Sequence, residues 1–146
     1  MALGQLCLKC GLCCDGTLFT HVALTDDEQK RHPQLGGVIR QPCPALKANT
    51  ECSVYADRPK GCSRFVCMLG RALEDGEVGL DEAVVLVNEL KALRGRIDAL
   101  VPGPGSPLSK ARQYEDRGPD SEVAVEVREA RRGLEALSRR HFLGRR

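Results

Sequence analysis

Eight cysteines, Cys7, Cys10, Cys13, Cys14, Cys43, Cys52, Cys62 and Cys67, fall within the first 67 residues, and the remainder of the chain has none. Four of them sit in one short stretch, "CLKCGLCCDG", running from Cys7 to Gly16. A thiolate is a soft donor. Four arranged tetrahedrally hold Zn²⁺, and four at the corners of a cubane hold an iron–sulfur cluster. Both need short, turning backbone between ligands, which Cys7-x2-Cys10 and Cys10-x2-Cys13 supply, with Gly11 to help the turn. Thiols that merely pack do not cluster at such spacings, so all eight are expected to be metal ligands rather than inert buried groups.

The vicinal pair constrains the arrangement. Neighbouring side chains of an extended chain point to opposite sides, so Cys13 and Cys14 are expected to serve different centres. Cys7 and Cys10 are expected to stay together. Several divisions into two sets of four remain open, as does a single bridged polynuclear site. Around Cys62, the cations Arg58, Lys60 and Arg64 would favour thiolate over thiol and offset the negative charge of a four-sulfur site. Lys60 reads equally well as solvated surface charge. Asp57 reads as a cap ahead of the helix-starting Pro59, and Tyr55 as a core ring. With eight thiols available, His21, His32 and His141 are not needed as ligands.

Composition sets the frame for these residues. Aromatic residues make up 3% of the chain, Trp is absent and 29% is charged, so the core must be modest and built from Leu, Val and Ala. The formal charge of +2 would turn negative with all eight thiolates around divalent ions, so it argues for no particular partner. The start, "MALGQLCLKC", lacks a basic segment followed by an apolar run, and no stretch approaches the ~18 apolar residues of a membrane span. A cytoplasmic location without membrane association is therefore expected, where structural disulfides are disfavoured. The tail "RRGLEALSRRHFLGRR" interleaves acids with bases, with Glu135 and Arg139 at i,i+4 spacing, so nucleic acid is not an expected partner. No Ser-His-Asp set or phosphate loop occurs, and the "GPG" at Gly103 follows a helix rather than a strand. The chain does not read as an enzyme, and any catalysis would belong to the metal.

The elements that must position the cysteines read as α+β, mostly helical, within a single domain over 1–146. A metal-stapled cysteine-rich region with a short hairpin spans 1–75, a helix 76–101, a Pro/Gly-rich loop 102–118 and a C-terminal helix 119–146. Within the first region, "TLFTHVALT" suits a strand, and "TDDEQKR" a short helix whose Thr25 and Glu28 have capping-box spacing. "VIRQPCPALKANTECSVY" suits a hairpin whose arms carry Cys43 and Cys52. In "SRFVCMLGRALEDG", Phe65, Leu69 and Leu73 recur at four-residue intervals, which places Cys67 on a helix and Cys62 ahead of its first turn. The helix after Asp81 would align Val84, Val87, Leu90, Ile97 and Val101. The last, starting near Asp120, would align Val123, Val127, Ala130, Leu134 and Leu137.

At the cysteines the chain resembles the CxxCxxCC cysteine-cluster family, also called YkgJ-type and described as zinc- or iron-chelating domains. The resemblance covers roughly residues 7–67. It rests on "CLKCGLCC", on "CPAL" from Cys43, and on "CSVYADRPKGCSRFVC" from Cys52 to Cys67. Ser63 departs from the Arg that many relatives carry directly after the cysteine, with Arg64 the residue placed to cover that role. What the resemblance implies is a metal-binding cysteine domain. Some longer relatives are flagellin lysine methylases, which brings in a role as the accessory part of a metal-dependent modification enzyme. Read with the residues, the leading expectation is a cytoplasmic protein chelating iron, as an iron–sulfur cluster, or zinc, in electron transfer or metal handling. Its rival is a structural-zinc module presenting the helical half to a protein partner. The Cys-x2-Cys-x2-Cys run and Cys43-Pro44 tilt the choice to iron. The tolerance of tetrahedral sites to loop length keeps Zn²⁺ close behind.

Overall fold

A computed structural model describes residues 2–118 and 121–143. The chain begins with α1, Ala2–Cys10, built from good helix formers with Leu6 on its buried face. Gly11, at φ +66°, turns the chain off that helix. A series of turns over residues 12–16 leads to strand β1, His21–Ala23, and then to α2, Asp26–Arg31. The capping box expected there is present: Thr25 Oγ1 accepts the Glu28 N–H at 3.3 Å, and the Glu28 carboxylate accepts the Thr25 N–H at 2.9 Å. Strand β2, Val38–Arg40, pairs antiparallel with β1, with His21 opposite Arg40, Val22 opposite Ile39 and Ala23 opposite Val38.

The hairpin therefore lies earlier than the local pattern suggests. The 38–55 segment, expected to form both arms, keeps one antiparallel bridge of its own, Leu46 to Cys52. The residues "VIR" pair backward with "HVA" across α2, a non-local choice that favours burying Ile39 at 1% exposure.

Two short helices follow, α3, Lys60–Ser63, and α4, Met68–Glu74. Cys67 does not lie on a helix, as the four-residue rhythm implies. It is the N-cap of α4, and its sulfur accepts the Gly70 N–H at 3.3 Å. Cys62, expected ahead of the helix, lies inside the single turn of α3.

The second half is helical. Helix α5, Leu80–Leu100, buries Ala83, Val87, Leu90 and Ile97, the face expected from periodicity. Residues 102–118, read as a loop, hold helix α6, Pro107–Asp116. Ser106 caps it through the Ser109 N–H at 3.3 Å, and Pro107 starts it, a pair of signals outweighed in the sequence by the surrounding Gly and Pro. Lys110 staples the preceding turn, donating to Asp98 at 2.5 Å and to the Gly103 carbonyl at 3.1 Å. Helix α7, Glu122–Ser138, is capped by Ser121 and buries Ala124, Val127, Ala130 and Leu134. Val123, placed on the buried face by its spacing, is exposed. The expected start near Asp120, and the tail from 144 to 146, lie outside the described residues. Glu135 pairs with Arg112 and Arg131 rather than with Arg139.

These elements give a mostly helical α+β fold. Helix α7 packs on α5 and α6, while α1 lies on α4 and α5. A wider π-type turn, Arg139–Leu143, returns to α4 and carries Phe142, 1% exposed, whose burial contributes about 2–3 kcal/mol. The main core joins Leu6, Leu12 and Leu69 from the cysteine region to Val87, Leu90 and Leu134 of the long helices. A second, small core holds Leu24, Leu35, Ile39 and Ala45.

Candidate metal centre

The cysteines are distributed over both cores. Cys7 and Cys10 stand three residues apart on α1, hence on one face of it. Cys13 follows in the turn beyond Gly11, and Cys67 arrives from the N-cap of α4. The helices that carry them meet closely: a Cβ at Gly70 would lie 2.7 Å from Leu3 Cδ1 and 3.2 Å from Val66 Cγ1, so a larger residue there must push those side-chain ends aside. Cys10, Cys13 and Cys67 pack against the main core.

Cys14 opens a second set. Its carbonyl accepts the Cys43 N–H at 2.7 Å. Cys43 Sγ in turn accepts the Ala45 N–H at 3.4 Å, and the Ala45 carbonyl accepts the Ser53 N–H at 2.8 Å, which brings Cys52 alongside. Cys62 comes from α3, whose first amide, Lys60 N–H, donates to Glu28 at 2.8 Å. The capping residue of α2 thus also anchors α3, and this contact with the Lys60 amide, followed by the Thr25 amide, holds its carboxyl below the usual carboxylate range. Cys43, Cys52 and Cys62 pack on the small core.

Electrostatics divide the eight sulfurs the same way. Cys67 acts on Cys7, Cys10 and Cys13, and Cys43 and Cys52 act on Cys14 and Cys62. Between the two sets, Cys14 acts on its neighbour Cys13. On this division Cys13 and Cys14 fall in different groups, although the chain there is turning, not extended. Both groups line one cavity of about 360 Å³, which His21, His32 and His141 do not line. His32 instead sits at the end of α2, its Nε2 2.7 Å from the Asp57 carbonyl oxygen.

Burial is the main influence on the thiols. It pushes Cys10 and Cys14 up to about 12 and Cys62 to about 11, and it raises Cys7, Cys13, Cys43 and Cys67 as well. Such thiols keep their protons at neutral pH unless a cation replaces them, so ion uptake here must release protons. Amides aimed at sulfur oppose the trend, from Leu12 at Cys10, Ala45 at Cys43 and Gly70 at Cys67. Among the described residues, no three cysteine, histidine or carboxylate groups stand at the spacing of a single bound ion. The chemistry of eight thiols lining one cavity nevertheless fits Zn²⁺ or iron–sulfur ligation.

Several residues that hold these turns are not legible from motif spacing. Asp15, 6% exposed, accepts the Thr17 N–H at 2.9 Å and meets Arg94 of α5 at 3.5 Å. Lys91, one turn earlier on α5, donates to the Lys9 carbonyl at 2.6 Å. Gln41 donates through Nε2 to the Cys13 carbonyl at 3.1 Å, and Thr50 Oγ1 donates to the Leu8 carbonyl at 2.8 Å, so the second set is tied to α1. Of the three cations near Cys62, Lys60 and Arg64 are exposed, while Arg58 bears on the sulfurs. Asp57 does not cap α3. It pairs with Arg31 at 2.5 Å and His32 at 3.2 Å. Tyr55, expected in the core, lines the cavity and is only half-buried.

No curated protein and no solved structure gives a significant match to the chain. A family model described as "CxxCxxCC: Putative zinc- or iron-chelating domain" matches residues 6–83, a span that takes in every cysteine of both sets and ends inside α5. With more than half of its length so matched, the chain belongs to the CxxCxxCC family.

Proposed function

We propose that the protein holds two metal centres, one on Cys7, Cys10, Cys13 and Cys67 and the other on Cys14, Cys43, Cys52 and Cys62. The observation that carries this reading is that all eight cysteines line one cavity, with Cys10, Cys13 and Cys67 packed on the main core and Cys43, Cys52 and Cys62 on the small one. Iron, as iron–sulfur clusters, is the favoured occupant, and electron transfer or metal handling the favoured role, in a reducing compartment such as the cytoplasm. When bound, the metal supplies the redox or Lewis-acid chemistry. The chain supplies soft donors, amides directed at Cys10, Cys43 and Cys67, and an apolar surround that includes the edge-to-face pair Phe19 and Phe65, 4.6 Å between centroids. Phe65 is exposed, so the first set lies beside a surface that a redox partner can reach.

Titration of the anaerobically purified protein with a mild reductant, followed by visible absorption, tests the occupant. A coloured protein with a reversible spectral change is expected. A colourless protein that holds stoichiometric zinc after growth in iron-rich medium contradicts the redox role. That result favours a structural-zinc module, with the groove between α5 and α7, lined by Leu93 and Leu137, as the surface to probe for a protein partner.

A further inference from the structure

Arg58 is the one cation among the described residues that line the cavity shared by the two sets of sulfurs. Its guanidinium carbon lies 4.0 Å from the centroid of the Tyr55 ring, a stacking that fixes a cation without an ion pair. The Tyr55 hydroxyl reaches across to α1, where a Cβ at Gly4 would lie 3.6 Å from it, three residues before Cys7. Arg58 itself precedes α3, four residues before Cys62. Both side chains line the cavity that the eight cysteines share. The neighbouring carboxylate, Asp57, is engaged by Arg31 and His32, and Arg58 enters no ion pair among the described residues.

Charge gives this position its consequence. Four thiolates around a divalent ion form a net dianion, and two such centres joined through the Cys13–Cys14 peptide repel each other. Glu74, which lines the same cavity, adds to the negative field. Resting on the two-centre reading, we infer that Arg58 is the counter-cation shared by both centres and that it permits the second to fill once the first is occupied. An arginine suits the task, because it stays charged at every relevant pH and its planar face is held by the Tyr55 ring. Arg58 is thus a positioning residue for metal loading, not a ligand.

The test is an anaerobic titration of the metal-free, full-length protein with Co²⁺, read by visible thiolate–cobalt absorption. Wild-type protein takes two ions of similar affinity. Arg58→Gln takes the first ion as wild type does and binds the second about 10–100-fold more weakly, and Arg58→Lys recovers most of that loss. Far-UV circular dichroism, dominated by α5 and α7, checks that each variant is folded. Two equal ions in Arg58→Gln overturn the inference and leave the two-centre reading standing. Equal weakening of both ions also overturns it, since it marks a general packing role for the Tyr55–Arg58 pair. A wild-type protein that takes no cobalt overturns the metal reading and the inference with it.

Discussion

Stripping the metal from the protein should unfold most of residues 11–67 while the helices α5 to α7 persist. The segment has little else to hold it. Its own core is Leu24, Leu35, Ile39 and Ala45, the three larger worth about 1.5–3 kcal/mol each at most, only Leu12 and Leu18 among its buried residues join the main core, and its sheet is two strands of three residues, which is marginal alone. Ordering the backbone costs about 1–2 kcal/mol per residue, so burial on this scale cannot offset it. A filled four-thiolate site contributes on the order of 10 kcal/mol, more than any one of these side chains. The second half has no such need, since Val87, Leu90, Ile97, Val127 and Leu134 are buried to within 2%. Limited proteolysis after anaerobic chelation should cut between Gly11 and Cys67 and leave a fragment that contains α5 to α7. Equal resistance of the filled and stripped proteins would contradict the expectation.

Substituting either member of the vicinal pair should remove one centre and spare the other. Cys13→Ser takes a donor from the set formed with Cys7, Cys10 and Cys67, and Cys14→Ser takes one from the set formed with Cys43, Cys52 and Cys62. Each variant should retain about half of the wild-type metal, because a buried set missing one thiolate loses most of its affinity. Stability should respond unequally. The first set leans on the main core, where Leu6, Leu12 and Leu69 remain packed, whereas the second has only the small core behind it. Cys14→Ser should therefore lower the melting temperature more than Cys13→Ser does. Loss of all metal from either single variant, measured by elemental analysis, would replace two centres with one bridged site.

What the sequence discloses about this chain depends on how local the cause is. The capping box of Thr25 and Glu28 and the buried faces of α5 and α7 follow from spacings within one helix, and they can be read directly. Helix α1 is hidden by its own cysteines: the same i,i+3 spacing that suggests a metal knuckle also suits one face of a helix, and "ALGQLCLKC" is rich in helix formers. Helix α6 is signalled by Ser106-Pro107 but diluted by the flanking glycines. The pairing of β1 with β2 depends on a partner across α2 that no local window contains. At the site, opposite pointing of neighbours suggests parting Cys13 from Cys14, but residues 12–16 form turns rather than extended chain. Membership of the proposed sets is not legible, because it depends on where the N-cap of α4 and the single turn of α3 come to rest. The dual role of Glu28, as the cap of α2 and the acceptor for Lys60, is likewise tertiary.

The central claim is that two separate centres occupy the eight cysteines, and native mass spectrometry of the anaerobically purified, full-length protein tests it most directly. The account predicts a mass increment for two metal centres, with all eight cysteines resistant to alkylation until the metal is removed. A protein at its bare polypeptide mass, with eight thiols alkylated at once under the same conditions, would contradict it.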